Sequence, residues 1–512
     1  MFDSDNKYLK SIGLASSLAA VTLTYLATKY NDRLLFEPAR SNIVRKKGLP
    51  LVGCTIEVLN GLEQFNHYLL ACFEQTGAKT ITISSLGLPR GVQTIHPENI
   101  EHVLKHNFEN YVKGSLFHAS TVDLLGHGIF NANGAQWRYQ RKAASMIFNV
   151  KNFRDHFTDV FVKELVLVRD IFDRAIENKT VVDFHDIMYK FTLDSFVLLG
   201  FGTQVNALTT EGKVPFAHSF DELQKNSFDR FMNAMEPVER KFNEIFRPWR
   251  TTVAQHQKVI DGFAASVIAK RRTQLAAGEQ HKDLLSRFME TDNENGEPLN
   301  DKELRDTIMN FIIAGRDTTG QTLSWLLYNL MLHPDVEEKL VQEIVSHVPV
   351  ELEEDSPALY EAIKDMKYAY AVLYETLRLY PSVPINQKQA LKDDVLPDDT
   401  PIRAGEVVMW SSYALGRNTD IWGADAKQFR PERWFTESGD IRRESQGKWP
   451  AFHAGPRVCL GQNLATLETL VACTVLLRRY KFSMIPNQDI TYQNSLTLPM
   501  KNGLKVTVAH RG

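Results

Sequence analysis

The sequence predicts a mainly α-helical fold with small β-sheets. Apolar residues recur with helical spacing in four segments, residues 183–199, 335–348, 363–379 and 464–480. A longer apolar-periodic segment covers residues 300–332. Strand-like pieces are short and are found at residues 80–84, 91–95 and 504–508. Helices therefore predominate in the predicted fold.

The N-terminal element is an apolar segment at residues 12–27, followed by an excess of basic residues: Lys29, Arg33, Arg40, Arg45, Lys46 and Lys47. A spanning helix needs about twenty residues, and residues 8–30 are just long enough. Because the basic residues follow the segment, the positive-inside rule places the rest of the chain in the cytosol. We expect an N-terminal membrane anchor at residues 1–30 and a basic linker at 31–50. A cleaved signal peptide is the alternative.

Composition favours a single large domain after the linker. Residues 51–512 contain no Gly/Ser-rich linker, repeat or low-complexity run. The formal net charge of −3 and the pI near 6.6 argue against a nucleic-acid partner. Four cysteines in 512 residues indicate a reducing compartment and not a disulfide framework.

The segment at residues 300–332 is predicted to be one long central helix. Asn300 precedes Glu303 by three residues, which is typical of a capping box, and His333-Pro334 ends the periodicity. Residues 314–319 (A-G-R-D-T-T) place a glycine and two hydroxyl side chains inside this helix. Such a site can interrupt the backbone hydrogen-bond ladder and hold water or a diatomic ligand. An ordinary helix with a polar face is the alternative.

Two shorter motifs each place paired polar residues on one helix face. Glu375 and Arg378 are three residues apart and can form an ion pair, although a solvated surface pair is the common explanation of this pattern. Trp137 and Arg141 are four residues apart and are both hydrogen-bond donors suited to a carboxylate. A basic amphipathic helix with Trp137 in the core is the alternative for the second motif.

The most informative stretch is residues 452–461 (F-H-A-G-P-R-V-C-L-G), which surrounds Cys459. A thiolate ligand to haem iron needs an exposed sulfur, backbone N–H groups close to that sulfur and a nearby cation. Gly455, Gly461 and Arg457 meet the last two needs. A Gly-rich turn around a buried structural cysteine is the alternative.

In chain order, these motifs resemble those of the cytochrome P450 family over roughly residues 50–504. The resemblance implies the P450 fold, with a long central helix over haem b and Cys459 as the axial ligand of the iron. It implies that the loop residues Phe452, Gly455 and Gly461 contribute to haem binding. It also implies that the haem propionates are bound by Trp137, Arg141 and Arg457.

The resemblance also implies which residues take part in the chemistry and which hold the fold. It implies that Thr318 is the hydroxyl beside bound dioxygen and that Asp317 is the entry point for protons. Glu375 and Arg378 then form a buried structural network with Arg433, a role in geometry and not in chemistry.

The implied reaction inserts one oxygen atom into a substrate C–H bond while the other leaves as water. Because the chain has no flavin or nicotinamide motif, NADPH takes part only indirectly, through a membrane-bound NADPH-dependent flavoprotein reductase. The reductase could dock on a group of basic residues: Arg138, Lys142, Arg442, Arg443 and Lys448. Scattered, solvated charges are the alternative explanation of that group.

The amino-acid sequences of the motifs are most similar to those of the plant and fungal long-chain fatty-acid and alkane ω-hydroxylases. Related animal enzymes carry a covalently bonded glutamate at the position of Ala314, so haem here is expected to be held non-covalently. Motif alignment places Leu124, Val383, Ile385 and Leu498 in the substrate pocket. An access lid is expected at an aromatic and Met-rich stretch, with helical core as the alternative: Phe228, Phe231, Met232, Met235, Phe242 and Phe246.

Other function classes remain open. The enzyme could oxidise another lipophilic substrate, such as a sterol, or it could be a haem-thiolate isomerase, sensor or binding protein without monooxygenation. Relatives of the isomerase type usually lack the Thr318-type hydroxyl, which is present here. The expected location is the endoplasmic reticulum membrane, with the catalytic domain in the cytosol and membrane lipid, dioxygen and a lipophilic small molecule as partners.

Overall fold

We describe the fold from a computed structural model that covers residues 2–40, 42–146, 156–233, 235–353 and 355–512. Its α-helices are α1 Phe2–Lys29, α2 Thr55–Asn60, α3 Phe65–Thr76, α4 Pro97–Glu101, α5 Ser115–Leu125, α6 Gly134–Ser145, α7 Thr158–Glu177, α8 Phe184–Phe201, α9 Pro215–Met232, α10 Glu236–Phe246, α11 Val253–Ala276, α12 Leu284–Met289, α13 Asp301–Ile312, α14 Thr318–Leu332, α15 Pro334–His347, α16 Ser356–Lys364, α17 Lys367–Leu379, α18 Ser412–Arg417, α19 Thr419–Trp422 and α20 Gln462–Arg479. Its strands are β1 Val44–Arg45, β2 Thr80–Thr82, β3 Gly91–Thr94, β4 Tyr111–Val112, β5 Val182–Asp183, β6 Ile385–Ala390, β7 Asp394–Val395, β8 Pro401–Ile402, β9 Val407–Ser411, β10 Tyr480–Met484 and β11 Lys505–His510.

The predicted mainly α-helical fold with small sheets is confirmed. The helices expected at residues 183–199, 335–348 and 464–480 are present as α8, α15 and α20, each within two residues of its expected bounds. The expected strands are present as β2, β3 and β11. α15 buries one apolar face, whereas α8 and α20 are buried over most of their residues.

The prediction of a single helix at residues 363–379 is wrong, because the chain forms two helices there. α16 ends at Lys364 and α17 begins at Lys367. Met366 leaves the helical conformation, with φ −78° and ψ 76°, and its side chain is fully buried. Burial of this side chain in the core accompanies the break, and the apolar periodicity on either side does not reveal it.

The long central helix is confirmed, and it is interrupted where the sequence indicated. The Asn300 side chain accepts hydrogen bonds from the backbone N–H groups of Lys302 and Glu303, and the Glu303 side chain bonds back to the Asn300 N–H, which completes the capping box. α13 then continues into α14 through a wider π turn at Ile313–Asp317. Such turns interrupt the regular ladder and occur often at functional sites.

The strands of the described residues form three small sheets. The largest has the strand order β1-β2-β3-β9-β6-β4, with β3 and β9 parallel and β6 and β9 antiparallel. A three-stranded sheet has the order β10-β11-β5, and β7 pairs with β8. The main apolar core is helical and includes residues of α7, α8, α13, α14 and α20.

A buried ionic network lies between α17 and the segment that leads to the cysteine loop. The carboxylate of Glu375 accepts two hydrogen bonds from Arg378, both of 2.7 Å, and one of 2.9 Å from Arg433. It also accepts the Trp434 indole N–H at 3.0 Å and the Arg430 backbone N–H at 2.8 Å. All of these donors converge on a carboxylate that is fully buried, so the network fixes the relative position of the two segments.

The N-terminal region forms the isolated helix α1, which exposes apolar side chains such as Leu14, Leu18 and Val21. Within the described residues, no helix combines the length and the apolar character that crossing a membrane requires. Part of the expected basic linker belongs to the largest sheet, since β1 pairs with β2 and Arg40 bonds to Glu406 at 3.0 Å. The structure thus ties Arg40 and the strand Val44–Arg45 to the folded domain.

Candidate active site

A cavity of about 350 Å³ lies beside Cys459, a size typical of small-molecule sites. The π turn of the central helix, the cysteine loop and the first residues of β6 form much of its wall, and α5, α6 and α9 contribute side chains. Several residues that the sequence singled out meet on this wall: Trp137, Arg141, Thr318, Val383, Ile385, Phe452, Arg457, Cys459 and Gly461.

The cysteine loop presents its sulfur to the cavity. The Cys459 side chain is exposed there, its backbone N–H donates to the Phe452 carbonyl oxygen at 2.9 Å, and the Gly461 N–H donates to its sulfur. Gly455 has φ +62°, and a Cβ atom on it would lie 2.0 Å from the Leu104 carbonyl oxygen, so only glycine fits. A Cβ atom on Gly461 would lie 3.9 Å from the sulfur, an ordinary contact, so packing within the chain does not require glycine there.

The surroundings of Cys459 have opposing effects on the pKa of its thiol. The dense protein around the loop raises the pKa of the thiol by desolvating the thiolate, while the Gly461 N–H and the positive charge of Arg141 lower it. Hydrogen bonds and cations of this kind favour the thiolate that a metal ligand needs.

Cationic side chains are concentrated on one side of the cavity. The Arg457 guanidinium carbon lies 4.6 Å from the centre of the Trp137 ring, and Nη2 donates to the Ala132 carbonyl oxygen at 2.7 Å. The Arg141 guanidinium carbon lies 6.0 Å from the centre of the same Trp137 ring, so the two side chains of the predicted pair are neighbours. Burial lowers the pKa of Arg457 to about 10, and the charge of Arg141 contributes. These donors therefore share one region, as their spacing in the sequence indicated.

Two lysines that the sequence analysis missed join this group. Lys113 lines the cavity, and burial together with the charge of Arg457 lowers its pKa to about 7. Lys388, on β6, is 1% exposed, and its pKa is held well below the usual range by burial and by the charges of Lys113 and Arg457. Neither Lys388 Nζ nor Arg457 Nε has a hydrogen-bond partner within the described part of the chain. Buried cations that repel one another are the complement of an anionic ligand.

The π turn and the start of α14 form the facing wall. Ala314, Gly315 and Thr318 line the cavity, and the Thr318 hydroxyl donates to the Ala314 carbonyl oxygen at 2.7 Å. A Cβ atom on Gly315 would lie 1.9 Å from the Phe196 ring, so a glycine is needed for the helix to pack closely against α8. The interruption that the sequence indicated thus places a hydroxyl on the cavity wall.

Asp317 lies next to Thr318 but points away from the cavity. Its side chain is 1% exposed and accepts a hydrogen bond of 2.6 Å from the Gln224 amide of α9. Burial raises the pKa of this carboxyl to about 7, although the charge of Arg316 and the Gln224 amide oppose the rise. A carboxyl that titrates near neutral pH is suited to proton transfer.

The comparisons with known proteins agree with this arrangement. The family model described as cytochrome P450 matches residues 45–506, which is most of the chain. The chain belongs to the cytochrome P450 family. Its fold, its cysteine loop and its interrupted central helix are those that the resemblance implied.

Individual P450 relatives match nearly the whole chain. Cytochrome P450 704B1 of Arabidopsis thaliana is 35% identical over 91% of this chain and 94% of its own length. The cytochrome P450 monooxygenase cyp1 of Mycosarcoma maydis is 34% identical over 95% of this chain and 78% of its own length. Cytochrome P450 94A1 of Vicia sativa is 30% identical over 96% and 95%. The expected similarity to plant and fungal members is thus confirmed.

Membership of the P450 family implies haem iron with a cysteine thiolate ligand, and the site fits that group. Haem carries two propionate carboxylates, and the donors Lys113, Trp137, Arg141 and Arg457 line the cavity. Lys388 lies behind them, close enough for the charges of Lys113 and Arg457 to act on it, and its Nζ has no hydrogen-bond partner among the described residues. Four positive side chains exceed what two carboxylates strictly need, but each is desolvated and benefits from an anion. Cys459 presents its sulfur to the same cavity.

The two missed lysines left little signal in the sequence. Lys388 lies in a strand whose neighbours are glutamines, and Lys113 follows a short strand, so both look like ordinary surface residues in the sequence. Lys388 is recognisable as a buried cation only once the pairing of β6 in the sheet is known.

The structure places two of the four expected substrate positions on the cavity wall. Val383 and Ile385 line the cavity. Leu124 and Leu498 do not line it, although both are buried. Their carbonyl oxygens accept hydrogen bonds of 2.9 Å from Arg305 and from the Trp325 indole, respectively. Their neighbours Leu125 and Leu496 reach the cavity instead. The substrate role of all four positions stays a prediction.

The aromatic and Met-rich stretch divides into two parts. Phe228, Phe231 and Met232 are buried at the end of α9 and line the cavity. Met235, Phe242 and Phe246 are at least half exposed, before and within α10. The first part is buried, and the second part is exposed; an access lid there stays a prediction.

Proposed function

We propose that this P450 monooxygenase catalyses terminal (ω) hydroxylation of long-chain fatty acids or alkanes, with electrons from an NADPH-dependent flavoprotein reductase. The observation that carries the proposal is the apolar character of the cavity wall away from the cations. Phenylalanine rings of α5 and α9 and the aliphatic side chains of Leu125, Val383 and Ile385 line it. An extended hydrocarbon chain buries well against such a wall.

Haem held by the Cys459 thiolate would supply the oxygen chemistry, because a thiolate ligand donates the electron density that favours O–O cleavage. The chain contributes the Thr318 hydroxyl at the wall and a carboxyl, Asp317, directly behind it. One dioxygen, one NADPH and one proton then convert R–H to R–OH, water and NADP⁺. Ala314 lines the cavity and offers no carboxylate for a covalent link to haem, so the proposal includes non-covalent haem binding.

Electrons are proposed to enter through the exposed basic side chains Arg138, Lys142, Arg442 and Arg443. Arg138 lies one residue after Trp137 on α6, so this surface is close to the propionate region. Lys448 pairs with Glu444 at 3.0 Å and is half-buried, which makes it a weaker member of the docking group.

The direct test is a reconstituted assay with purified enzyme, a flavoprotein reductase, NADPH and hexadecanoic acid. We expect the terminal alcohol as the main product, identified by gas chromatography with mass spectrometry. Hydroxylation of a sterol but of no fatty acid would refute the proposed substrate class. Conversion of a lipid hydroperoxide without NADPH would instead indicate an isomerase or dehydratase.

Replacing Val383 with alanine is expected to shift hydroxylation from the terminal carbon toward internal carbons. A terminal C–H bond is stronger than its methylene neighbours, so oxidation at the chain end depends on a wall that holds the chain end-on. The change removes two methyl groups, and at about 0.8 kcal/mol for each lost methyl contact the ratio of terminal to internal alcohol is expected to fall roughly fifteenfold. Val395→Ala, at an exposed position of β7, is the control. An unchanged product ratio in Val383→Ala would remove this side chain from the positioning of substrate.

The domain arrangement is also proposed: an N-terminal anchor at residues 1–30, a basic linker at 31–50 and a haem-binding domain at 51–512, located at the endoplasmic reticulum membrane. The apolar residues of α1 support membrane association, as does a second exposed apolar surface on and after α10. That surface consists of Val238, Phe242, Ile245, Phe246 and Trp249, each at least half exposed. Amphipathic helices of this kind lie in the membrane interface.

Deleting residues 1–29 is expected to move the protein from the membrane pellet toward the soluble fraction after ultracentrifugation, without loss of haem. The deletion stops before Tyr30, because the Tyr30 ring is buried and its carbonyl oxygen accepts the Leu51 N–H at 2.9 Å. The same deletion with Phe242→Glu and Phe246→Glu shows whether α10 holds the remainder. If the protein that carries the deletion and both substitutions still pellets, the proposed membrane contacts are contradicted.

A further inference from the structure

Helix α9 contacts the back of the central helix through two polar side chains one turn apart. The Asp221 carboxylate pairs with Arg316 at 2.8 Å, and the Gln224 amide donates to Asp317 Oδ2 at 2.6 Å. Both partners lie in the π turn, at Ile313–Asp317. The same helix carries Phe228 and Phe231 on the cavity wall, so one rigid element contacts both the acid and the pocket.

The contact between Gln224 and Asp317 is buried. Gln224 is 2% exposed, Asp317 1% and Arg316 3%. A buried carboxyl needs a fixed donor, because its charged form is otherwise strongly disfavoured. Arg316 is engaged mainly with Asp221 and lies 3.3 Å from Asp317 Oδ1. Gln224 is therefore the neutral group that fixes the direction of the carboxyl.

Four buried atoms around this contact lack a hydrogen-bond partner among the residues that the structure describes. They are Tyr189 Oη, Gln224 Oε1, Arg316 Nε and Asp317 Oδ1. Their side chains adjoin one another, since the Arg316 guanidinium carbon lies 4.8 Å from the Tyr189 ring centre and Gln224 bonds to Asp317. Two donors and two acceptors match what a bound water molecule satisfies.

We propose that Gln224 is a positioning residue for proton delivery. Its amide keeps the Asp317 carboxyl at a water-binding cluster behind the central helix, formed with Tyr189 and Arg316, from which protons reach Thr318. This inference rests on the role proposed above for Asp317, but not on the identity of the substrate.

Failure of proton delivery has a measurable product. In the coupled reaction, dioxygen, NADPH and a proton yield R–OH, water and NADP⁺ from R–H. When the O–O bond is not cleaved, the same dioxygen, NADPH and proton yield hydrogen peroxide and NADP⁺. The fraction of consumed NADPH that is recovered as peroxide therefore reports delivery.

Gln224→Met, which keeps the side-chain length but removes the donor, is the test variant. We expect the ratio of peroxide formed to coupled product to rise about fivefold, the effect of losing one hydrogen bond to a buried carboxyl. The midpoint of the pH dependence of this ratio should move to higher pH, because the amide lowers the pKa of Asp317. Arg316 and Asp221 are the other charged groups that act on Asp317, with Tyr189 facing the same cluster, and all three are unchanged in the variant.

Gln224→Glu provides a second variant if Gln224→Met does not fold. A second carboxyl beside Asp317 should also move the midpoint to higher pH, because two adjacent carboxyls resist double ionisation. Ser227→Ala is the matched control, since Ser227 is buried on α9 and donates only to the Leu223 carbonyl oxygen of its own helix. Hydroxylation driven by added hydrogen peroxide, which brings its own oxygen, electrons and protons, should be unchanged in the test variants.

The outcomes separate the two proposals. If Asp317→Asn raises the peroxide fraction while both Gln224 variants match the wild type, Gln224 has no positioning role. If Asp317→Asn itself has no effect, the proposed role of Asp317 fails, and the inference fails with it. An equal loss of peroxide-driven and NADPH-driven hydroxylation in Gln224→Met would show general damage and would also overturn the inference.

Discussion

Replacing Cys459 with serine is expected to abolish the red-shifted absorption band of the ferrous carbon monoxide complex. That band depends on electron donation from a thiolate, and a neutral hydroxyl cannot supply the same donation. Because the Cys459 sulfur is the thiol exposed on the cavity wall, the loss should be complete. Reduced difference spectra of the purified variant, at matched haem content, provide the measurement.

A second cysteine provides the control for this experiment. Cys473 is 6% exposed within α20, and burial raises the pKa of its thiol to about 12. Cys473→Ala should keep the band, with at most a modest loss of stability from the cavity created. Retention of the band in Cys459→Ser, or its loss in Cys473→Ala alone, would show that the assignment of the ligand is wrong.

Replacing Glu375 with glutamine is expected to cost about 3–5 kcal/mol of folding free energy, the usual effect of removing one partner from a buried ion pair. Glu375 accepts bonds from both Arg378 and Arg433. The change leaves Arg378 buried with no carboxylate partner and leaves Arg433 with only Asp425, at 3.1 Å. Urea unfolding followed by circular dichroism should show a much lower midpoint, and haem should be lost at lower urea concentration than from the wild type.

Glu432→Gln is the matched control because it changes an exposed glutamate in the same region. Glu432 pairs with Lys339 at 2.7 Å, and both side chains are largely solvated. Exposed pairs of this kind contribute about 0–1 kcal/mol, so the midpoint should barely move. Equal effects of the two substitutions would mean that the buried network has no special role in holding the fold.

Sequence reasoning was most successful where a function depends on residues close together in the chain. The cysteine loop, the capping box at Asn300 and the interruption near Gly315 are all local patterns, and the structure contains each of them. In these segments, the residues that carry the pattern also make the contacts. The loop geometry around Gly455 follows directly from its positive φ and its close approach to Leu104.

Features that depend on distant parts of the chain were less predictable. Lys388 is placed close to Arg457 only because β6 pairs with both β9 and β4 inside the largest sheet. Gln224 reaches Asp317 across 93 residues of sequence. Leu125 lines the cavity and Leu124 does not. Which of the two faces the cavity likewise depends on long-range packing, and the local periodicity does not show it.

The π turn at Ile313–Asp317 also limits how the chain length can vary. The two halves of the central helix are each fixed in rotation, since Asn310 donates to the Leu125 carbonyl oxygen and Trp325 donates to that of Leu498. One added or deleted residue would turn one half by about 100° relative to the other, and one of these contacts would be lost. Insertions and deletions should therefore be absent from this segment among functional homologues, while the surface turn around Gly278, where an added Cβ meets no atom within 4 Å, should accept them.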